Sequence, residues 1–475
     1  MTNIENFYET IIIGAGPSGL TAAKYIAENT PDKLLIVEKA KQVGGLAKTI
    51  ETENSRYDIG PHRFFSKNDE ANKLFSNILE KDSVVVNRKT RILFKNKYFD
   101  YPLTPINAMF GLGIFESFRI GFSYIYARLS RVISKKEPEN FEEWVIDKFG
   151  KRLFQNFFKN YTEKVWGIDC KNIGKDWAAQ RIKGLNLTTA ITVALGISKN
   201  KPKSLIDKFI YPKFGAGFAW EKLSSQLSNL NVELKLQHEL IGVQKTNNIF
   251  KVQLKDVQSE TIYSIECKKL LFSSPILEFI NIYKNGDTDE VKKAASTLNY
   301  RSHICAHITI DRKLFDDNWI YIHSPNIKAA RISDFTNFSS HMSKNNNYPL
   351  AIEYFCYEND DFWNQDDKKI LEFAMNELNN IFDIKFSKIE SFVTRNKYAY
   401  PVIQTGYEES ISKVKNWIDS IDGLEAIGRT GMYKYNNQDH AMMTGLYAAK
   451  KIIGEGNFDP WQVNVDGEYI EEIQT

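Results

Sequence analysis

Cysteine is scarce in this 475-residue chain. Its four cysteines, Cys170, Cys267, Cys305 and Cys356, are scattered singly, with no CxxC spacing and no Cys/His cluster. That excludes a disulfide framework and a structural zinc site, and it suits a reducing compartment, so a cytoplasmic location is expected. An excess of one charge is also lacking: 62 Lys+Arg stand against 59 Asp+Glu, a formal net charge of +3. Without a basic block there is no electrostatic case for nucleic acid. Long uncharged runs are missing too. The most apolar stretch, residues 106–133, is interrupted by Glu116, Arg119, Arg128 and Arg131, so it falls short of the roughly 18 uncharged residues of a membrane-spanning helix. Its apolar residues suit one face of a helix or two, set against a core or a substrate cavity, and contact with a membrane surface stays open. The first residues show neither the basic start nor the small-residue cleavage site of a signal peptide. No Ser/His/Asp arrangement, P-loop or metal-ligand spacing appears, so hydrolase, ATPase and metalloenzyme readings have no residues behind them and no metal is expected. No heptad or exposed stripe specifies an oligomeric state.

What is present is ordinary in bulk and specific in detail. Hydrophobic residues make up 43% and charged residues 25%, a globular composition at a length that suits two or three domains. A strand-like run over 9–13 leads into Gly14-Ala15-Gly16-Pro17-Ser18-Gly19, a helix over about 18–29, and a second strand over 34–37 that ends at Glu38. The glycines permit a tight turn and close approach of a pyrophosphate to the helix N-terminus, and Glu38 can accept from ribose hydroxyls, with Lys39 beside it. Further on, helices are expected over 70–80, 140–165, 220–230, 368–382 and 439–453. An alternating pattern over 232–273 predicts a β-meander, and strands are expected near 303–310 and 351–357. The fold class expected is α/β: a discontinuous, Rossmann-like nucleotide domain (1–100, 203–280 and 395–475) interleaved with a mixed α+β substrate domain (101–202 and 281–394).

A second glycine pair, Gly44-Gly45, followed by Leu46, comes one short loop after Glu38, and Ala426-Ile427-Gly428-Arg429 precedes the last helix. Both resemble the extended fingerprint of the amine-oxidase-like FAD superfamily, which implies FAD rather than NAD. Three further runs are similar to those of the UDP-galactopyranose mutases: Tyr57-Asp58-Ile59-Gly60-Pro61-His62, Tyr161-Thr162-Glu163-Lys164-Val165-Trp166-Gly167, and Gly428-Arg429-Thr430-Gly431-Met432-Tyr433-Lys434-Tyr435. Weaker echoes are Ala330-Arg331-Ile332-Ser333 and Tyr398-Ala399-Tyr400-Pro401. The resemblance implies a pyranose–furanose mutase acting on a UDP-galactose-like nucleotide sugar for surface polysaccharide. Reduced FAD would be its active cofactor, flavin N5 its covalent nucleophile, and an external reductant such as NAD(P)H its electron source.

The same resemblance implies roles for residues. Arg331 becomes the diphosphate clamp with Arg429, and Tyr400 and Tyr435 bond the diphosphate. Tyr161, with Phe157 or Phe158, packs on the base, Trp166 walls the sugar pocket, Arg181 belongs to a lid, Asn437 lies on the substrate side, and His62 sits against the flavin. Asp58 reads as a turn or cap residue. The family pattern is kept on the flavin and diphosphate sides and departs on the sugar side. The stretch Asn436-Asn437-Gln438-Asp439-His440 is closer to the eukaryotic branch, and residues 182–199 hold no tyrosine. Two other classes remain open. One is an oxidoreductase of the amine-oxidase or protoporphyrinogen-oxidase kind, which the apolar segment 102–137 would suit. The other is a flavin-free, Rab-escort-like binding protein, against which the intact glycines and Glu38 argue.

Overall fold

The computed structural model describes residues 7–464 apart from 102, 104, 136, 175–206 and 287. Arg181 therefore lies outside the described residues. Two seven-stranded sheets carry the fold. In the first, Phe7–Ile13 lies parallel to Leu34–Glu38 on one side and to Ile262–Phe272 on the other. Its apolar strands are buried on both faces, as parallel strands must be when helices cover them. Val232–Leu236 extends this sheet at one edge. The meander His238–Thr246, Ile249–Asp256 and Ile262–Phe272 extends it antiparallel at the other. The short strand Leu424–Ala426 joins beside Ile262–Phe272 and returns the chain's end to its beginning.

The helix Pro17–Asn29 follows the glycine turn with proline at its first position, where the missing N–H costs nothing. It packs against the last long helix, Gln438–Ile452, at very short range: a Cβ added to Gly445 would stand 2.1 Å from the Ser18 carbonyl oxygen. Helices Asp69–Leu79 and Gly217–Leu227 complete that side, sharing a core with Leu34 and Ile36.

The second sheet runs in the order Lys388–Pro401, Tyr300–Ile310, Tyr348–Cys356, Arg331–Asp334, Trp319–Ile322, Thr90–Phe94 and Lys97–Asp100. Every residue of Tyr300–Ile310 is buried. One face packs under helix Asp367–Ile381 through Ile304, Ala306 and Ile308. The other carries His303, Arg331 and Glu353 toward a cavity. Thr90–Phe94 and Lys97–Asp100 lay on the nucleotide side of the boundary drawn at residue 100, yet they pair in this second sheet, where Thr90–Phe94 runs parallel to Trp319–Ile322. Helix Asp289–Ala295, drawn on the substrate side, contributes Val291, Ala294 and Ala295 to the core of the first sheet.

The helical layer over the second sheet consists of Pro105–Leu112, Ile114–Ser134, Phe141–Phe149, Lys151–Leu153 and Asn160–Trp166. The helix expected over 140–165 is broken: the chain turns at Gly150 and runs through a π-helical segment, Phe154–Lys159, before resuming. This re-aims Phe157 and Tyr161 toward the cavity they line. The contact between the first and last helices generates a prediction. Gly445→Val should destabilise the protein by about 3 kcal/mol, because the side chain has no room beside Ser18. Urea unfolding measures it, and an unchanged midpoint would refute the packing argument.

Candidate active site

A cavity of about 1250 Å³ runs between the two sheets, larger than the roughly 300–1,000 Å³ of a single-ligand pocket. It brings together residues that are hundreds of positions apart. Gly14, Gly16, Ser18, Glu38, Lys39, Gly45 and Leu46 line one end, and His62, Arg331, Tyr400, Arg429, Tyr435 and Asn437 line the middle. Phe157, Phe158, Tyr161 and Trp166 line the part under the helices. Gly19, Gly44 and Gly428 sit behind that lining and hold it. The Gly44 N–H donates to the Ala15 carbonyl at 2.8 Å, and the Gly428 N–H donates to Thr444 Oγ1 at 2.9 Å.

At the nucleotide end Gly14 has φ +103°, and a Cβ there would stand 2.1 Å from Ser273 Oγ, so glycine is required on both counts. No side chain caps helix Pro17–Asn29 and its first turn holds no acid, which leaves its N–H groups and positive dipole end to the cavity. Glu38 braces the loop, accepting from the backbone N–H of Ala15 and of Ala40 at 2.8 Å each. Lys39 pairs with Glu239 at 2.7 Å across the rim. Buried polar atoms of lining residues that find no hydrogen-bond partner among the described residues include His62 Nδ1, Ser274 Oγ, Trp319 Nε1, His323 Nδ1 and Asn396 Nδ2. A dinucleotide with a polar ring system, as in FAD, fits this cradle and supplies partners for such atoms.

The centre is built on one cross-strand pair. Arg331 and Glu353 are register partners on adjacent strands. Arg331 Nε and Nη2 donate to the two carboxylate oxygens at 2.6 and 2.5 Å. His303 Nε2 lies 3.1 Å from the same Glu353 Oε2. Burial alone would raise the Glu353 carboxyl, but Arg331 outweighs it and holds the group down at about 2. Burial likewise pulls Arg331 down, and Glu353 more than offsets this, holding it well above its ordinary range.

Arg429 is different. Its Nε and Nη1 donate to the carbonyls of Asn436 and Ala399 at 2.9 and 3.1 Å. Its guanidinium lies 5.3 and 4.8 Å from the ring centres of Tyr400 and Tyr435, and no carboxylate pairs with it among the described residues. Trp166 packs against both tyrosines at 6.0 and 5.9 Å. Burial pushes Tyr400 up to about 12, so its hydroxyl stays a donor. Burial, then the Arg429 and Arg331 cations, push His62 down to about 3, so its ring is neutral at ordinary pH. Tyr161 stacks on His323 at 4.3 Å. Phe157 is packed by Phe94 and Phe99 at 5.3 and 5.1 Å and acts as wall. Asn437 caps the last helix, its N–H donating to His440 Nδ1 at 3.3 Å.

Two residues of the sequence motifs turn out to be pins. Lys164 Nζ donates to the carbonyls of Ile322, Ser324, Ile327 and Ala329 at 2.7–3.2 Å. It ties helix Asn160–Trp166, and with it Tyr161 and Trp166, to the second sheet. Asp58 is fully buried and accepts from Thr49 Oγ1, the Tyr211 hydroxyl and the Ala216 N–H at 2.6, 2.7 and 3.1 Å. Glu353 and His303 were missed from sequence. The available signal for Glu353 was a lone carboxylate inside the otherwise apolar run Tyr348–Cys356.

Removing that carboxylate should be costly. Glu353→Gln strands a buried guanidinium and should destabilise the fold by about 3–5 kcal/mol. Because the native carboxyl titrates near 2 against an ordinary 4.5, the pair's contribution is complete above pH 4.5 and is lost as pH falls toward 2. Thermal melts of wild type and variant should therefore converge in acid. A gap that stays constant down to pH 2 would contradict this.

Comparison with known proteins agrees with the geometry. A family model described as flavin containing amine oxidoreductase matches residues 17–410. A dTDP-fucopyranose mutase of Escherichia coli is 29% identical over 174 residues, 35% of this chain and 43% of the relative. A probable UDP-galactopyranose mutase of Klebsiella pneumoniae is 27% identical over 172 residues, 34% of this chain and 41% of the relative. The chain thus aligns with less than half the length of these two curated relatives. The UDP-galactopyranose mutase of Mycoplasma genitalium is 21% identical over 468 residues, 94% of this chain and 95% of its own. Among solved structures, a reduced UDP-galactopyranose mutase superposes with TM-score 0.83 at 20% identity, covering 96% of both chains. A putative protoporphyrinogen oxidase from Exiguobacterium reaches 0.71 at 14% identity, covering 94% of this chain and 99% of that one. With a glycine cradle at one end of the cavity and a family match over most of its length, this chain belongs to the flavin containing amine oxidoreductases and has a fold like that of UDP-galactopyranose mutase.

Proposed function

We propose that the protein is a flavin-dependent pyranose–furanose mutase acting on a sugar carried by a diphosphate. UDP-galactose-like nucleotide sugars, the class the relatives' names carry, are the first substrates to test. The observation that carries this reading is Arg429: a cation with no carboxylate partner among the described residues, laid against Tyr400 and Tyr435, beside Arg331 and facing the cavity that holds the flavin cradle. An amine oxidase, whose substrate is itself cationic, has no use for that arrangement. A departing diphosphate that must be retained and returned has every use for it, since guanidinium groups bind phosphate by paired donors and never lose their charge.

Reduced FAD, when bound, supplies the covalent nucleophile, with its electrons drawn from an external donor such as NAD(P)H. The chain's own groups do the rest. Arg331, held by Glu353, presents a fixed fork. Tyr400 and Tyr435 donate their hydroxyl protons as hydrogen bonds to the diphosphate, and neutral His62 sits toward the flavin without adding a charge. Trp166 closes the sugar side and keeps water out. The product would serve surface polysaccharide synthesis. An oxidoreductase acting on an apolar substrate is the second reading, favoured by the apolar wall under the helical layer.

The test is anaerobic incubation of the purified protein with UDP- and dTDP-linked sugars, with and without dithionite. An isomer of unchanged mass that forms only after reduction supports the mutase. Flavin that is instead bleached by an apolar donor in the absence of dithionite supports the oxidoreductase. Arg331→Lys keeps a cation opposite Glu353 but loses the fork. It should raise KM by about tenfold or more while FAD absorbance stays unchanged, and loss of the flavin from that variant would refute the clamp.

A further inference from the structure

Helix Ile114–Ser134 has two unlike faces. Its inner face contributes Ser117, Ile120 and Gly121 to the cavity wall. Its outer face carries Phe115, Phe118, Phe122, Leu129, Val132 and Ile133, each 58–84% exposed to solvent. These positions recur at helical spacing, so they form one continuous apolar stripe along a helix of about 30 Å. A stripe of this size is far more than the scattered apolar residues a soluble surface normally tolerates. No described helix is long and apolar enough to cross a membrane, so a spanning role is not what the stripe serves.

The charges on the helix all have one sign where they face outward. Arg119, Arg128 and Lys135 are exposed. Arg128 and Lys135 have no partner among the described residues, and Arg119 reaches only Glu116, at 3.7 Å. Glu116 is the helix's one acid, and it is turned inward against Arg152 and Asn156, at 2.5 and 3.0 Å. An apolar stripe flanked by basic residues is the pattern of a helix lying in the surface of an anionic bilayer. A second copy of this chain would bring the same cations face to face across a twofold interface. Residues 175–206 hold six basic residues and one acid, and so offer no complementary charge either.

Behind the helix the described cavity wall is mostly apolar, with His323 at its inner side. Among the described lining residues from Ile92 to Trp166 none is charged or an amide; Ile92, Leu103, Phe141, Phe149 and Leu153 are typical, and the polar atoms include the hydroxyls of Tyr101, Ser117, Tyr161 and Thr162. Walls made chiefly of ring and aliphatic carbon suit a hydrocarbon chain, which needs no polar partner. We propose that the outer face of Ile114–Ser134 docks on an anionic membrane, and that the apolar end of the cavity behind it takes the hydrocarbon chain of a lipid whose diphosphate head reaches Arg331 and Arg429. The head-group part rests on the clamp reading above, while the docking part does not.

Two measurements test it on the full-length flavoprotein. In the first, the protein is sedimented with phosphatidylcholine vesicles made with and without phosphatidylglycerol. Binding should require phosphatidylglycerol and fall by about tenfold or more in a Phe115→Ser, Phe118→Ser, Phe122→Ser variant that retains FAD absorbance. Wild type that stays in the supernatant, or a variant that binds as well as wild type, overturns the docking. So does a wild-type dimer in light scattering that the variant converts to monomer. In the second, farnesyl diphosphate and UDP are titrated separately against the flavin absorbance. Tighter binding of farnesyl diphosphate supports the lipid site. Tighter binding of UDP overturns the lipid site and leaves the diphosphate clamp standing, and no response to either overturns the clamp as well.

Discussion

The buried pair between Arg331 and Glu353 sets the terms for the whole centre. Two charges withdrawn from water are tolerable only because the strands place them in register and both oxygens are used. The pair fixes a guanidinium at the cavity wall without leaving its position to a flexible side chain. By neutralising the first guanidinium it also lets a second arginine, Arg429, stand nearby with only carbonyl partners among the described residues. The field of the two cations, added to burial, keeps His62 neutral. The fixed position of the Arg331 guanidinium thus follows from one strand register in the second sheet.

The two sheets divide the work. The first offers helix N-terminal N–H groups and a close backbone approach at Gly14, which suit an elongated, polar cofactor. The second offers fixed charge and aromatic walls. The helical layer is secured over the second sheet by Lys164, whose three protons are shared among four carbonyls. That arrangement explains why a lysine stands in the middle of the Tyr161–Gly167 run although it does not touch the cavity: it holds Tyr161 and Trp166 in place.

Local pattern made much of this legible beforehand. The glycine turn and the helices near 18–29, 70–80 and 439–453 depend on neighbours close in sequence, and they appear within a residue or two of expectation. The meander expected from 232 begins only at His238, because Val232–Leu236 pairs with Leu34–Glu38 at the opposite edge of the sheet. What failed depends on distant partners. Strand Thr90–Phe94 pairs with a strand more than 200 residues later, so nothing near residue 90 could assign it to the second sheet. The helix over 140–165 keeps its apolar spacing but turns at Gly150, where the crossing helix Ile114–Ser134 comes close. Arg331, Tyr400, Arg429 and Tyr435 come from three separate segments. Their convergence was readable only through resemblance to a family, and Glu353, the residue that makes Arg331 usable, carried no motif at all.

The meeting of helix Gln438–Ile452 with helix Pro17–Asn29 at Gly445 and Ser18 has a consequence for biosynthesis. The glycine turn leaves the ribosome about 400 residues ahead of its packing partner. At about 5–20 residues per second the two are separated by tens of seconds of synthesis. Through that interval the first strand and its helix have neither the last helix to pack against nor Arg429 beside the cavity. Cofactor loading therefore follows synthesis of helix Gln438–Ile452, and a chain truncated before residue 438 should emerge from translation without a completed flavin site.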